Sequence, residues 1–269
     1  MPTRDRLTAL SACLEALARQ DRPVDVIVVD DGSVDGAAVE ALVRAAPRAR
    51  LVRRDGHGPA AARNAGVAAA TADVVCFTDD DCRPDPGWAR AIVDAVAEGA
   101  AVVAGPTVVG ASGDHVAAAA QLVTNHLVEE SLDAEAGTVG FAPTSNLGGL
   151  RRVFETLAFD EAYPAAAGED RDWCARLAAS GRTITWAPGA VVGHHPDLTL
   201  RGFWRQQERY GRGARRVHSS GAGGRAEAGF YLRLLRRGWR AGWREGALVG
   251  LAQVATLVGY ARARARRPS

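Results

Sequence analysis

The chain has 269 residues, 47% of them apolar and 24% charged, which is the composition of a globular protein able to bury a full core. The net charge of +2 hides an uneven distribution, because after Arg201 the only acids are Glu208, Glu227 and Glu245 among many arginines. Lysine is absent, which excludes any mechanism that requires one, and no nucleic-acid partner is expected.

Leu7, Leu10, Leu14 and Leu17 recur at helical spacing, predicting an amphipathic helix that ends before Pro23. The β-branched run 24–29 is a strand, and Asp30-Asp31-Gly32-Ser33 follows as a loop. A helix over 37–43, a strand over 51–53 and a helix over 58–69 with Pro59 at its start come next. A strand over 72–78, a helix after Pro86 and a strand over 101–109 continue the alternation, which argues for an α/β domain with a mainly parallel sheet flanked by helices. Further on, helices are expected over 116–132, 169–179 and 203–210, a strand over 183–192, and a glycine-rich break over 221–224. The four cysteines show no CxxC spacing and no leader-like opening precedes them, so reduced thiols and a cytoplasmic location are expected.

Asp79-Asp80-Asp81 sits at the end of the 72–78 strand, the edge at which parallel sheets bind ligands. Carboxylates at i and i+2 of an extended chain point the same way, so Asp79 and Asp81 can share one divalent cation. A solvated acidic turn is the competing reading, since Arg83, Pro84, Pro86 and Gly87 follow. Asp30 and Asp31 end another strand and could accept hydrogen bonds from a nucleobase or ribose. A phosphoacceptor receiver pocket would also present such a pair, but it needs a lysine. Glu169, Asp170 and Asp172 open a helix, where acids are favoured by the helix dipole, or where one carboxylate serves as a general base. His194 and His195 are adjacent in an extended segment, so at most one faces a given site. Gln206 and Arg209 lie one turn apart on a helix and could meet a sugar or a phosphate.

The ordered set VVDDGS, GPAAARNAG, FTDDDCRPDPGW, GEDRDW and QQERY resembles the large inverting glycosyltransferase family two, with its GT-A fold, over roughly residues 1–215. The resemblance implies a donor site for a nucleoside diphosphate sugar built from Pro2, Thr3, Asp30, Asp31, Arg63, Asn64 and Asp80. It implies a metal, Mn²⁺ or Mg²⁺, on Asp79 and Asp81 with His195 or His194 as a third contact. It implies Asp170 as general base with Glu169 beside it, and an acceptor side including Asn146, Gln206, Arg209 and Tyr210. The last motif has Tyr210 where the family's QxxRW has tryptophan. Segments 159–161 and 144–146 resemble acceptor-side loops. The family opens with a hydrophobic strand running into Pro-Thr, whereas this chain opens Met1-Pro2-Thr3-Arg4, so the first strand is expected to be missing.

Residues 225–269 are expected to form a helical tail in which arginines mingle with Leu232, Leu235, Trp239 and Trp243, followed by an apolar stretch over 246–261. That pattern reads as an interfacial helix at the inner face of the plasma membrane, suiting a lipid-linked or envelope glycan acceptor, with a helix packed on the domain or at a dimer interface as the competing reading. The alternative is a catalytically silent nucleotide-binding module of the same fold. A nucleotidyltransferase is disfavoured because no basic glycine-rich phosphate loop is present near the N-terminus.

Overall fold

The β-branched run at 26–29 forms a strand buried on both faces, and its neighbours explain why. In the computed structural model, which describes residues 1–110, 114–163, 167–219 and 227–265, the chain begins with β1 (Pro2–Thr3), α1 (Leu7–Ala18), β2 (Val26–Asp31), α2 (Gly36–Ala45), β3 (Ala49–Arg54) and α3 (Pro59–Ala69). Successive residues of a strand point to opposite faces. Val28 packs with Leu10 of α1 and Val39 of α2, while the Val29 side faces Gly66 of α3. Helices therefore cover both sides, and β2 includes the two acids expected in a loop, with Asp30 and Asp31 paired to Arg53 and Arg54 of parallel β3.

Where the sequence predicts no first strand, the structure has a short one. β1 lies parallel to β2 with Pro2 opposite Val29, the Met1 amino group donates to the Ile27 carbonyl at 3.0 Å, and the Val29 amide donates to the Met1 carbonyl at 2.8 Å.

The chain continues through β4 (Val74–Phe77), β5 (Cys82–Pro84), α4 (Trp88–Ala97), β6 (Val102–Ala104), β7 (Thr107–Val109), α5 (His115–Glu129), β8 (Leu132–Asp133), β9 (Thr138–Val139) and, after a 3₁₀ turn at Thr144–Asn146, β10 (Leu147–Leu150). Then come α6 (Arg151–Thr156), α7 (Glu169–Ala179), β11 (Ile184–Trp186) and β12 (Val192–His194). β10 runs antiparallel between β4 and β6, so the sheet is mixed at its centre. The single strands predicted over 101–109 and 183–192 each split in two. The breaks fall at Gly105-Pro106 and Pro188-Gly189, and the halves pair in step, β6 with β11 and β7 with β12. Gly105 is required there, because a Cβ on it would lie 2.2 Å from the Ala190 carbonyl oxygen. Phe77, Phe154, Phe159 and Trp173 form an aromatic cluster in the second half of the core. All four cysteines are free.

The remaining helices are α8 (Leu200–Ser219), α9 (Ala228–Ala241) and α10 (Trp243–Ala265). The expected domain limit at 215 falls inside α8. Phe203 of α8, Ala120 of α5, Leu234 of α9 and Val249 of α10 share one buried cluster. The α8 and α10 backbones approach closely, because Cβ atoms at Gly211 and Gly259 would each meet a carbonyl oxygen of the opposite helix at 2.0 Å. α10 exceeds the predicted apolar stretch: its segment Trp243–Ala263 is long and apolar enough to cross a membrane by length and composition. The glycine-rich break at 221–224 and the terminal Arg266 and Arg267 lie outside the described residues.

Candidate active site

The carboxyl ends of β1, β2 and β4, the first turn of α7 and one side of α8 border a single cavity of about 920 Å³. At the β4 end, the three aspartates take different partners. Asp79 accepts from Arg63 at 2.9 Å. Asp80, 3% exposed, accepts from the Thr3 hydroxyl at 2.8 Å and from Arg6 at 2.7 Å. Asp81 accepts from Arg6 at 2.9 Å and lies 3.4 Å from His194 Nε2. Burial pushes the Asp80 carboxyl up to about 6 despite the Arg6 charge. Burial also opposes ionisation of Asp81, but His194 and Arg6 outweigh it and hold this carboxyl well below its usual range.

His194 reaches the cluster because β12 pairs antiparallel with β5, with His194 opposite Cys82. Its orientation is set by a chain of hydrogen bonds from α5. Asn125 donates its amide to the Thr107 carbonyl at 2.9 Å and so presents its oxygen to Gln121 Nε2 at 2.7 Å. Gln121 Oε1 therefore faces His194 Nδ1 at 2.7 Å, which makes Nδ1 the donor and turns Nε2 toward Asp81. Ligand atoms of Asp81, Cys82 and His194 lie within 4.8 Å of one another. Burial and then the Asp81 charge raise the Cys82 thiol well above its ordinary range, so a carboxylate oxygen and an imidazole nitrogen are the donors suited to a divalent ion.

The opposite wall starts at Gly168, whose φ of +98° turns the chain into α7. A Cβ on Gly168 would lie 3.2 Å from Gly213 of α8, so the turn also lets α7 and α8 meet. Glu169, 3% exposed, accepts from Arg63 at 3.0 Å. Arg63 thereby links Asp79 to α7. Asp170 borders the cavity and accepts from the Arg171 amide at 2.8 Å. Burial, then the neighbouring Glu169 charge, push its carboxyl up to about 7, the range in which a carboxylate acts as a general base. Gln206, Arg209 and Tyr210 of α8 line the same cavity. Burial and the charges of Asp170 and Glu169 keep the Tyr210 phenol protonated.

Of the residues expected at the site, Pro2, Thr3, Asp31, Arg63, Asp79, Asp80, Asp81, Glu169 and Asp170 all border the cavity. Four expected residues are placed elsewhere. His195, one residue past β12, contacts Arg83 instead, because consecutive residues of an extended chain face opposite sides; His194 occupies the inward position. Asp30 accepts from the Ser33 amide at 2.9 Å and faces Arg53, whereas Asp31 holds the His57 and Gly58 amides that start α3. Asn64 is spent on the 159–161 loop, with bonds to Phe159 and Glu161 at 2.9 Å. Asn146 is fully buried and ties Trp88 to the Pro106 and Ala190 carbonyls, which sets the β6–β7 and β11–β12 breaks side by side. Arg6 and Gln121 also border the cavity and were not expected. Arg6 carried a signal, as a cation just after Pro-Thr, but Gln121 had none within an alanine-rich helix.

A sequence model of the family "Glycosyl transferase family 2" matches residues 1–158. The chain is 29% identical over 217 residues to the pre-mycofactocin glycosyltransferase of Mycobacterium tuberculosis, covering 78% of this chain and 45% of that protein. It is 35% identical over 202 residues to the succinoglycan biosynthesis protein ExoO of Rhizobium meliloti, covering 70% of this chain and 57% of that one. The chain thus spans about half the length of these curated relatives. The solved structure of the mannosyltransferase PcManGT from Pyrobaculum calidifontis, in complex with GDP-Man and Mn²⁺, superimposes with a TM-score of 0.62 at 20% identity. That superposition covers 100% of this chain and 74% of the other, a likeness of fold.

Proposed function

Because the chain belongs to glycosyl transferase family 2 and has the GT-A fold, we propose that it transfers a sugar from a nucleoside diphosphate sugar to an acceptor hydroxyl, with inversion at the anomeric carbon. The observation that carries this reading is the one cavity that has the Asp79–Asp81–His194 cluster on one wall and Asp170 on the other. Asp31, at the end of β2, borders the nucleoside. Asp170 accepts the proton of the acceptor hydroxyl, which attacks from the face opposite the leaving diphosphate, so no covalent enzyme intermediate forms. Arg63 holds Asp79 and Glu169 in place across the cavity. Asp81 and His194, beside Asp79, would hold a divalent ion, which would supply positive charge against that developing on the leaving diphosphate. One carboxylate and one imidazole favour Mn²⁺ over Mg²⁺, which prefers oxygen donors throughout.

The test is thermal stabilisation by a panel of nucleoside diphosphates, with Mn²⁺ and with chelator. One nucleotide is expected to raise Tm only when metal is present, and Asp81→Ala to abolish the shift. A shift without turnover of the matching sugar nucleotide would favour the silent binding module. No shift with any nucleotide would overturn the donor site.

The reading extends to peripheral contact with an anionic membrane. Trp239 and Trp243 are 58% and 69% exposed on the α9–α10 hairpin, next to exposed Arg236, Arg240 and Arg244, the pairing of aromatic rings and cations that suits a headgroup boundary. The protein should sediment with phosphatidylserine-containing vesicles and less with pure phosphatidylcholine. Trp239→Ser with Trp243→Ser should lower the bound fraction several-fold, and binding should weaken as salt rises. Equal sedimentation of the parent and the double variant would remove the membrane from the proposal.

A further inference from the structure

The cavity does not end at the carboxylates. Its lining also includes apolar side chains, Leu127 of α5, Phe230 and Leu234 of α9, and Leu257 of α10, with Phe141 from the loop after β9. A nucleoside diphosphate sugar carries no aliphatic chain, and its base is proposed to lie by Asp31, so the donor is not the ligand that covers such a wall. At about 920 Å³ the space lies near the upper end of the roughly 300–1,000 Å³ usual for one bound small molecule, leaving room for a second substrate beyond the donor. Leu257 is 66% exposed, so the apolar end also opens to solvent.

Three glutamines come from the helices α8 and α10 that border the cavity. Gln206, Gln207 and Gln253 all line the cavity. Gln206 Oε1, Gln207 Nε2 and Gln253 Nε2 are buried and have no hydrogen-bond partner among the described residues. Gln207 is only 1% exposed. Buried amides are normally paired, so one acceptor and two donors left without a partner in residues that line the cavity mark a wall short of polar partners.

We propose that the acceptor is amphipathic: its hydroxyl-bearing head sits among Gln206, Gln207 and Gln253 beside Asp170, and an apolar substituent occupies the gallery between α5, α9 and α10. This rests on the transferase reading of the same cavity. It also gives the α9–α10 hairpin a role in acceptor selection, since α9 and α10 supply most of the gallery wall. The shared chemistry is an apolar chain or ring attached near the accepting hydroxyl, and its source is either a short aglycone or a lipid.

Calorimetric titration with alkyl glycosides tests this on the full chain loaded with Mn²⁺ and the stabilising nucleoside diphosphate. Methyl, butyl, octyl and dodecyl β-glucosides serve as probes, each below its micelle concentration. Octyl glucoside is expected to bind at least about tenfold more tightly than methyl glucoside, because each methylene removed from water adds affinity. A plateau by octyl marks a short aglycone, and a further gain at dodecyl marks a lipid. Leu257→Asp, with Leu257→Gln as its uncharged version, should erase the chain-length dependence. Leu232→Asp, which alters an exposed leucine outside the cavity, should keep it. Equal affinity for all chain lengths, or equal loss in the Leu257 and Leu232 variants, overturns the gallery. The Mn²⁺-dependent nucleotide shift reports the donor end alone, so its absence overturns the transferase reading and is told apart from failure of the gallery.

Discussion

The Asp170→Asn variant is expected to transfer sugar about 10²–10⁴-fold more slowly than the parent, the usual contribution of a positioned general base, while keeping its metal-dependent nucleotide shift. The pH dependence separates this from a general loss of structure. Burial and then Glu169 raise the Asp170 carboxyl from 3.8 to about 7. The proton-accepting form therefore appears as pH rises through about 7, and the parent rate should climb over the same range. The residual rate of the variant should lack that limb. Stability runs the other way. A carboxyl whose folded pKa is raised favours the fold fully below its unfolded value of 3.8, and that contribution is lost as pH rises through about 7. The asparagine variant should thus melt above the parent at about pH 8, with the gap shrinking toward about pH 4. A variant that transfers at the parental rate, or a parental rate flat across this range, would remove Asp170 from the role.

That expectation depends on a site whose parts were unequally visible in the sequence. Asp79, Asp81, Glu169 and Asp170 could be read because acids at strand ends and in a first helical turn have only a few physical explanations. The α/β alternation was legible for the same kind of reason: β2 and α3 declare themselves through β-branched residues and a Gly-Pro start. β10 was not legible, since Leu147-Gly148-Gly149-Leu150 has neither alternation nor β-branched residues and becomes a strand only because β4 and β6 flank it. Asn64 and Asn146 show the limit on the functional side. Both belong to segments that resemble site-lining motifs, yet their amides are consumed by backbone carbonyls and a tryptophan. Whether an amide faces ligand or fold is decided by tertiary partners, which local sequence does not encode. The choice between His194 and His195 was similar: the sequence allowed at most one to face a given site, and only the β5–β12 register decided which.

Arg63→Leu is expected to cost about 3–5 kcal/mol of stability, the effect of removing one partner from a buried ion pair. Arg63 is 5% exposed and lies between Glu169, at 3% exposure, and Asp79. Without the guanidinium, Glu169 becomes a buried carboxylate with no cation, and its desolvation is no longer offset. Asp79 keeps a side-chain exposure of 30% and can turn to water, so the loss arises mainly at Glu169. A double variant, Arg63→Leu with Glu169→Leu, removes the charge as well as its partner and should recover much of the lost stability, because an apolar replacement of a whole buried pair is often neutral or better. It should not recover transfer, since Asp79 and the first turn of α7 would no longer be held across the cavity. Urea denaturation of the parent and both variants measures the energies, and transfer assays on the same samples measure the second effect. A single variant within about 1 kcal/mol of the parent would mean that water already solvates the pair. A double variant no more stable than the single would place the cost in lost packing of the arginine stem instead of in the stranded charge.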